Sequence, residues 1–361
     1  MIAWFRYICL IVSLIITMPE LLSAQRLVSQ RQEDVEAGLL YNESVYILSN
    51  YSCLSSNSPE KLSLDELLRK QIEGFYFYLK RDTETNVLLL RKPDGTFTPF
   101  SESLEAIKTA LDADSTKVMT LFLDFYVETE LESSFKEIGL MEYVLEYDTK
   151  NGWPSLKDML SSGKRLVVFE VQKHLNSPSW LHNMRDFVEH TDADWGNQPE
   201  GVESFDERLK KNLSLFTGYK FLETSRGNSN DISALARQTP YLIESFKRAW
   251  IRDGRVPNFI LVDKYYAWLD VSLVTFRNFD IIYGAVTNNN ELLNYVNWDG
   301  MSNYTTGKYC FPLEPGAELM LSPISPGYRI EPATVYVSGT QRKAFAGDFK
   351  ARPLRIDEDI E

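Results

Sequence analysis

The chain has 361 residues, 44% of them hydrophobic and 25% charged, an ordinary globular composition with material for a large core. Its net charge of −13 argues against nucleic acid and against anionic membrane surfaces as partners, since both need a basic face. The length suits one large domain or two smaller ones.

The N-terminus, "MIAWFRYICLIVSLIITMPELLSAQR", places Arg6 ahead of an apolar run from Tyr7 to Met18 and small residues at Ser23-Ala24. This is the pattern of a secretory signal peptide cleaved near Ala24, and the run is short for a membrane span of about 20 residues. The expectation is therefore a secreted, extracellular protein with no transmembrane segment after cleavage. Cys9 leaves with residues 1–24, so the mature chain keeps Cys53 and Cys310. In an oxidising compartment these suggest one disulfide, two buried thiols being the other reading. N-glycosylation sequons stand at Asn42, Asn50, Asn212 and Asn303.

Residues 25–43 are polar and read as an exposed lead-in. From Ser44 onward β-rich and helical segments alternate. "SVYILS" is predicted as a strand. "SLDELLRKQIEG" is predicted as a helix, capped by Ser63 and ended by Gly74. "FYFYLKR" and "NVLLLR" are strands joined by the polar turn "DTETN"; "SLEAIKTALDA" is a helix and "KVMTLFLDF" a buried strand. "ELESSFKEIGL" (helix), "YVLEYD" (short strand), "WPSLKDMLSSG" (helix) and "KRLVVFEV" (buried strand) continue the alternation. "WLHNMRDFVEHTDADW" places His182 and His190 on a helix surface. "TPYLIESFKRAWIRDG" is a helix and "NFILVD" a last strand. Near-continuous apolar strands separated by amphipathic helices indicate a parallel sheet covered by helices. Some eight such units over residues 44–279 suit an α/β fold of the (β/α)8 barrel type. From Asp280 the sequence turns rich in Tyr, Asn, Gly and Pro, and "AELMLSP", "ATVYVSG" and "RPLRI" read as strands of a β-containing appendage over residues 280–361. In a closed barrel the first and last strands are neighbours. That brings Cys53, after the first strand, towards Cys310 in the appendage and makes the expected disulfide a staple between them.

Four segments, "LLRKQIEGFYFYL", "VMTLFLDFYVE", "WPSLKDMLSSGKRLVVFEV" and "PNFILVDKY", together resemble the phosphatidylinositol-specific phospholipase C X-domain superfamily. The resemblance implies a barrel enzyme whose chemistry needs two histidines: a general base after the first strand and a general acid after the second strand pair. It also implies an arginine, with acidic groups or calcium, around the phosphate. Here the base position holds Asn50, the arginine position Tyr76 and the acid position Arg91. The three histidines of the chain are His174, His182 and His190, so none precedes residue 174. Asparagine is no base near neutral pH, and arginine is too firmly protonated to donate. No catalytic set of the family type is therefore expected. Asp124, Glu170, His174 and Asp263, at strand ends that should face the barrel mouth, are the candidate residual pocket. His190, Asp192 and Asp194 alternate in a loop, a pattern more often solvated than metal-binding, and no metal or cofactor is expected. The aromatic rim residues Tyr76, Tyr78, Tyr126, Tyr265, Tyr266 and Trp268 suit sugars or lipid headgroups, or packing of the appendage. The expected function is that of a catalytically degenerate, secreted relative serving as an extracellular binding or matrix protein. Its expected partners are an inositol or phospholipid headgroup or matrix components. The alternative is an active phosphoric diester hydrolase with rearranged groups.

Overall fold

The computed structural model describes residues 31–52, 62–70, 72–125, 131–172, 177–192, 215–219, 247, 250–251, 256, 258–262, 278–300, 304–305, 307–339 and 342–354. Eight parallel strands form the main sheet: β1 (Tyr46–Ser49), β2 (Gly74–Arg81), β5 (Met119–Asp124), β6 (Leu166–Glu170), β7 (Leu181–Asn183), β8 (Val188–Asp192), β9 (Leu215–Tyr219) and β10 (Phe259–Val262). A short antiparallel extension, β3 (Leu88–Arg91) and β4 (Phe97–Pro99), is attached to β2. The path runs β7-β6-β5-β2-β1-β10-β9-β8, so "SVYILS" and "NFILVD" do pair, with Tyr46 opposite Phe259 and Ser49 opposite Val262.

The sheet is a barrel because its interior rings meet across it. Phe169 on β6 and Phe259 on β10 lie four strands apart in the order, about 19 Å on a flat sheet. Their ring centroids are 6.2 Å apart, and Phe122 on β5 reaches Phe259 at 5.2 Å. Only a sheet curled on itself allows this. Tyr41 and Trp153 fill the lower end, 4.9 Å apart, and the Tyr41 hydroxyl is 2.6 Å from Thr120 Oγ1 at the start of β5. The strands at the two ends of the path, β7 and β8, are consecutive in the chain and do not pair with each other among the described residues.

Helices cover the outside. Among the described residues they include α1 (Leu64–Arg69), α2 (Phe100–Ala113), α3 (Leu131–Ile138), α4 (Leu156–Ser162) and α5 (Met184–Phe187). Ser63 caps α1 as expected, its hydroxyl accepting from Glu66 N while Glu66 returns a bond to Ser63 N. The helix ends at Arg69, however, and Gly74 opens β2 instead of closing α1. "YVLEYD" forms no strand; its pairings are isolated bridges from Val144 to Leu166 and from Asp148 to Gly152. The expected helix carrying His182 and His190 is two strands, β7 and β8, joined by the single turn of α5. His182 is 3% exposed on β7.

The appendage contains β11 (Asp280–Asn288), β12 (Glu291–Leu292), β13 (Val296–Trp298), β14 (Tyr304–Thr305), β15 (Lys308–Leu313), β16 (Glu318–Leu321), β17 (Pro323–Ile324), β18 (Tyr328–Glu331), β19 (Val335–Ser338) and β20 (Lys343–Pro353). Its main sheet, β12-β11-β20-β18 with β15 on β11, has two apolar faces. Phe279, Ile281 and Cys310 join the barrel core, whereas Ile282, Val286, Tyr309 and Phe311 join a second core with Trp298 and Phe349. The alternation of side chains along β11 thus serves two interiors at once.

Cys310 corrects the expected disulfide. It is a free, buried thiol that accepts a hydrogen bond from Trp250 Nε1 at 2.9 Å, and Cys53 lies outside the described residues. Cys310 is packed within the barrel-side core. Burial pushes its thiol up to about 12 despite the Trp250 contact. The native protein is expected to resist thiol reagents at pH 8 and to be labelled at Cys310 only on unfolding. Rapid native labelling at Cys310, read by peptide mass spectrometry, would contradict this placement.

Candidate functional site

Three elements build the mouth of the barrel. Alternation along β5 puts Thr120 and Asp124 on the inward face with Phe122. The β2–β5 register sets Tyr76 opposite Phe122 and Tyr78 opposite Asp124, so both tyrosines share that face. Phe75 and Phe77 take the outer face, 5.4 Å apart, with Phe77 packing on Phe100 of α2. Asp124 is fully engaged at the rim: Tyr76 Oη donates to one carboxylate oxygen at 2.8 Å and Gln172 Nε2 to the other at 3.0 Å.

Asn50 directly follows β1 at the same end and is half-buried. The next two residues lock the turn. Tyr51 packs edge-on against Phe75 and Phe77, and burial, with Asp94 and Asp65 adding to it, holds its phenol above the ordinary range. The Ser52 hydroxyl donates to Arg91 O at 2.9 Å and accepts from Tyr78 N at 2.8 Å. Arg91, the last residue of β3, answers with Nε to Ser52 O at 3.1 Å and lays its guanidinium 4.3 Å from the centre of the Tyr78 ring. Asn50, Tyr76, Arg91 and Asp124 are thus gathered on adjoining strands at one end of the barrel. In this setting Arg91 fastens the loop after β1 to β3 through a carbonyl and a ring, a structural use of a permanently charged planar group.

Glu170 does not join them. It lies opposite Leu123 in the β5–β6 register, on the face away from Phe122 and Asp124. It is 1% exposed and accepts from Ser177 Oγ at 2.5 Å and Asn183 Nδ2 at 3.3 Å. His174 and Asp263 lie outside the described residues, as do the rim aromatics Tyr126, Tyr265, Tyr266 and Trp268 and the sequons Asn212 and Asn303. Asn42 sits in a 3-10 turn near the lower end. His182 is a core residue: its Nε2 lies 3.2 Å from Leu145 O, and Trp153, Phe169 and Phe187 surround its ring. Burial lowers its pKa and favours the neutral imidazole, against the opposing pull of the Leu145 carbonyl. Sequence reasoning missed Ser52 and Gln172. Ser52 was visible only as the third residue of a sequon, and nothing marked Gln172.

A parallel α/β barrel with a polar mouth at the C-terminal strand ends is the architecture in which such folds place their ligands. Residues 90–199 match the PI-PLC X family model (PI-PLC X 1), the family that the sequence motifs resemble. The match starts on β3, so it includes Arg91, Asp124 and Glu170 and begins after Asn50 and Tyr76. Among solved structures, the chain is similar to the phosphatidylinositol-specific phospholipase C of Listeria monocytogenes at 13% identity and a TM-score of 0.42, over 68% of this chain and 98% of that one. It is also similar to a single-site mutant of the Staphylococcus aureus phosphatidylinositol-specific phospholipase C at 14% identity and a TM-score of 0.43, over 68% of this chain and 94% of that one. No curated protein matches the chain.

Proposed function

We propose that the protein is a secreted, catalytically degenerate PI-PLC X-like barrel that binds a phosphorylated polyol or lipid headgroup outside the cell without cleaving it. The observation that carries this reading is the commitment of the mouth residues. The position after β1 is an asparagine, Arg91 is spent on the Ser52 carbonyl and the Tyr78 ring, and both Asp124 oxygens are occupied by Tyr76 and Gln172. This is not the histidine pair on which general acid–base chemistry of the family type relies. Of the residues on which the rearranged-hydrolase reading draws, His174 and Asp263 lie outside the described residues, and Glu170 is held on the opposite face by Ser177 and Asn183, which counts against its use there.

Loss of a general base and a general acid costs typically about 10²–10⁴-fold each. Purified protein incubated with phosphatidylinositol vesicles or glycerophosphodiesters, with and without calcium, is expected to release no inositol or glycerol phosphate above buffer. Turnover that rises with protein concentration would refute the degenerate reading. The same protein is expected to retain binding to inositol phosphate by calorimetry, and absence of such binding would leave the barrel mouth without the proposed ligand.

A further inference from the structure

A second cleft, away from the barrel mouth, opens between the helical turn at residues 31–36 and the edge of the appendage. It has a volume of about 710 Å³ and is lined by Glu33, Glu36, Asn278, Asp280, Arg342 and Lys343. Such a volume falls in the range of small-molecule sites. Gly339 also lines it, and a Cβ there would come within 3.0 Å of Asp280 Oδ2, so the missing side chain keeps the space beside the carboxylate open.

The charges of this region do not cancel. Arg342 is paired with Asp34 at 2.5 Å and donates to Phe279 O, and Lys343 is paired with Glu43 at 2.6 Å. Arg31 is paired with Glu73 and lies 3.4 Å from Asp34. Three cations, Arg31, Arg342 and Lys343, are thus matched by three carboxylates, Asp34, Glu43 and Glu73. Among the described residues, Glu33, Glu36 and Asp280 are left over. Glu36 accepts only from the neutral Gln32 amide at 2.9 Å, and Glu33 stands exposed at the rim. Asp280 is 6% exposed and accepts no hydrogen bond and no ion pair among the described residues, yet it lines the cleft. A carboxylate that deep without a partner is costly unless something else supplies the donors.

We propose that this cleft binds a small organic cation bearing ammonium or guanidinium groups, with Asp280 as its inner anchor and Glu33 and Glu36 at its rim. A polyamine has the length and the spaced donors to span from Asp280 to the rim, and a bare metal ion does not fill such a space. Among the described residues no cluster of three or more metal-ligating side chains forms. Desolvation, reinforced by Glu33 and only partly countered by Arg342, raises Asp280 to about 6. The anchor is therefore charged at neutral pH and is lost as pH falls through 6.

Calorimetric titration of the full chain with spermidine at pH 7.5 and fixed ionic strength tests this. Saturable binding is expected, weakened at least tenfold by Asp280→Asn, about threefold by Glu33→Gln, and at least tenfold by moving the wild type to pH 5. Circular dichroism identifies folded variants, and if Asp280→Asn fails to fold, Glu33→Gln and the pH series carry the test. Absence of saturable heat, unchanged affinity in the folded variants, or equal displacement by calcium chloride and by sodium chloride at matched ionic strength would each overturn the proposal. The last would reduce binding to screening of an acidic protein.

Discussion

Replacing Glu73 with alanine is expected to cost about 3–5 kcal/mol, the range for stripping one partner from a buried ion pair. Glu73 is 7% exposed and Arg31 is 5% exposed, so neither group has water to fall back on. One Glu73 oxygen holds the Arg31 guanidinium and the other accepts from Ile47 N at 3.2 Å. Its backbone is tied as well, with N bonded to Ile47 O and O accepting from Thr120 N, both at 2.9 Å. Burial works against the Arg31 charge, and Glu73, Tyr46 and Asp34 more than offset it, so the guanidinium is held above its ordinary range. Removing Glu73 would leave that charge with only the longer 3.4 Å contact to Asp34, itself held by Arg342, and the Tyr46 ring, 4.8 Å from its centre. Replacing both partners, as Arg31→Met with Glu73→Leu, should cost less than Glu73→Ala alone, because no charge is then left unpaired. Denaturant midpoints of the two variants decide this. A Glu73→Ala loss under about 1 kcal/mol would mean that water reaches the pair.

Gly74→Ala is expected to cost about 3 kcal/mol, at the upper end for overpacking. A Cβ at this position would lie 2.2 Å from Thr120 O and 3.0 Å from Leu48 Cγ. The first obstacle is backbone belonging to the β2–β5 ladder, where Gly74 is opposite Thr120, so it cannot rotate away as a side chain would. Relief requires β2 to move off β5, which strains β1 as well because Gly74 is also opposite Leu48. The measurement is the unfolding midpoint of the variant together with its yield of folded protein. A variant that unfolds at the wild-type midpoint would show that these strands separate easily.

The barrel was legible where its strands are apolar on both faces. "KVMTLFLDF" and "KRLVVFEV" carry buried residues at nearly every position, which no surface helix does. Their neighbours were not legible. Gly74 looks like a helix stop because a glycine after "LLRKQIE" serves that end, yet its reason is the approach of Thr120, a contact distant in sequence. His182 and His190 sit in strands of three and five residues separated by one turn of helix, too short for either periodicity to emerge. At the site, Asn50, Arg91 and Asp124 were found through strand ends and family motifs. The role of Glu170 was misread because one residue of register reverses the face it occupies. The expected disulfide rested on chain position alone; Cys53 lies outside the described residues, and Cys310 is a free thiol within the barrel-side core.

Ile281 and Ile282 are consecutive in the chain and belong to different cores. A sheet used in this way is a party wall, and a party wall cannot be assigned to one house. Cutting the chain at residue 279 would remove, with the appendage and its own core, the apolar covering that Ile281 and Cys310 give the barrel, and would expose the barrel-side interior. Two regions that look separable by composition therefore have little freedom to melt apart. Damage to the outer β structure should be felt at the strands around Phe259 as a loss of cooperativity in the whole molecule.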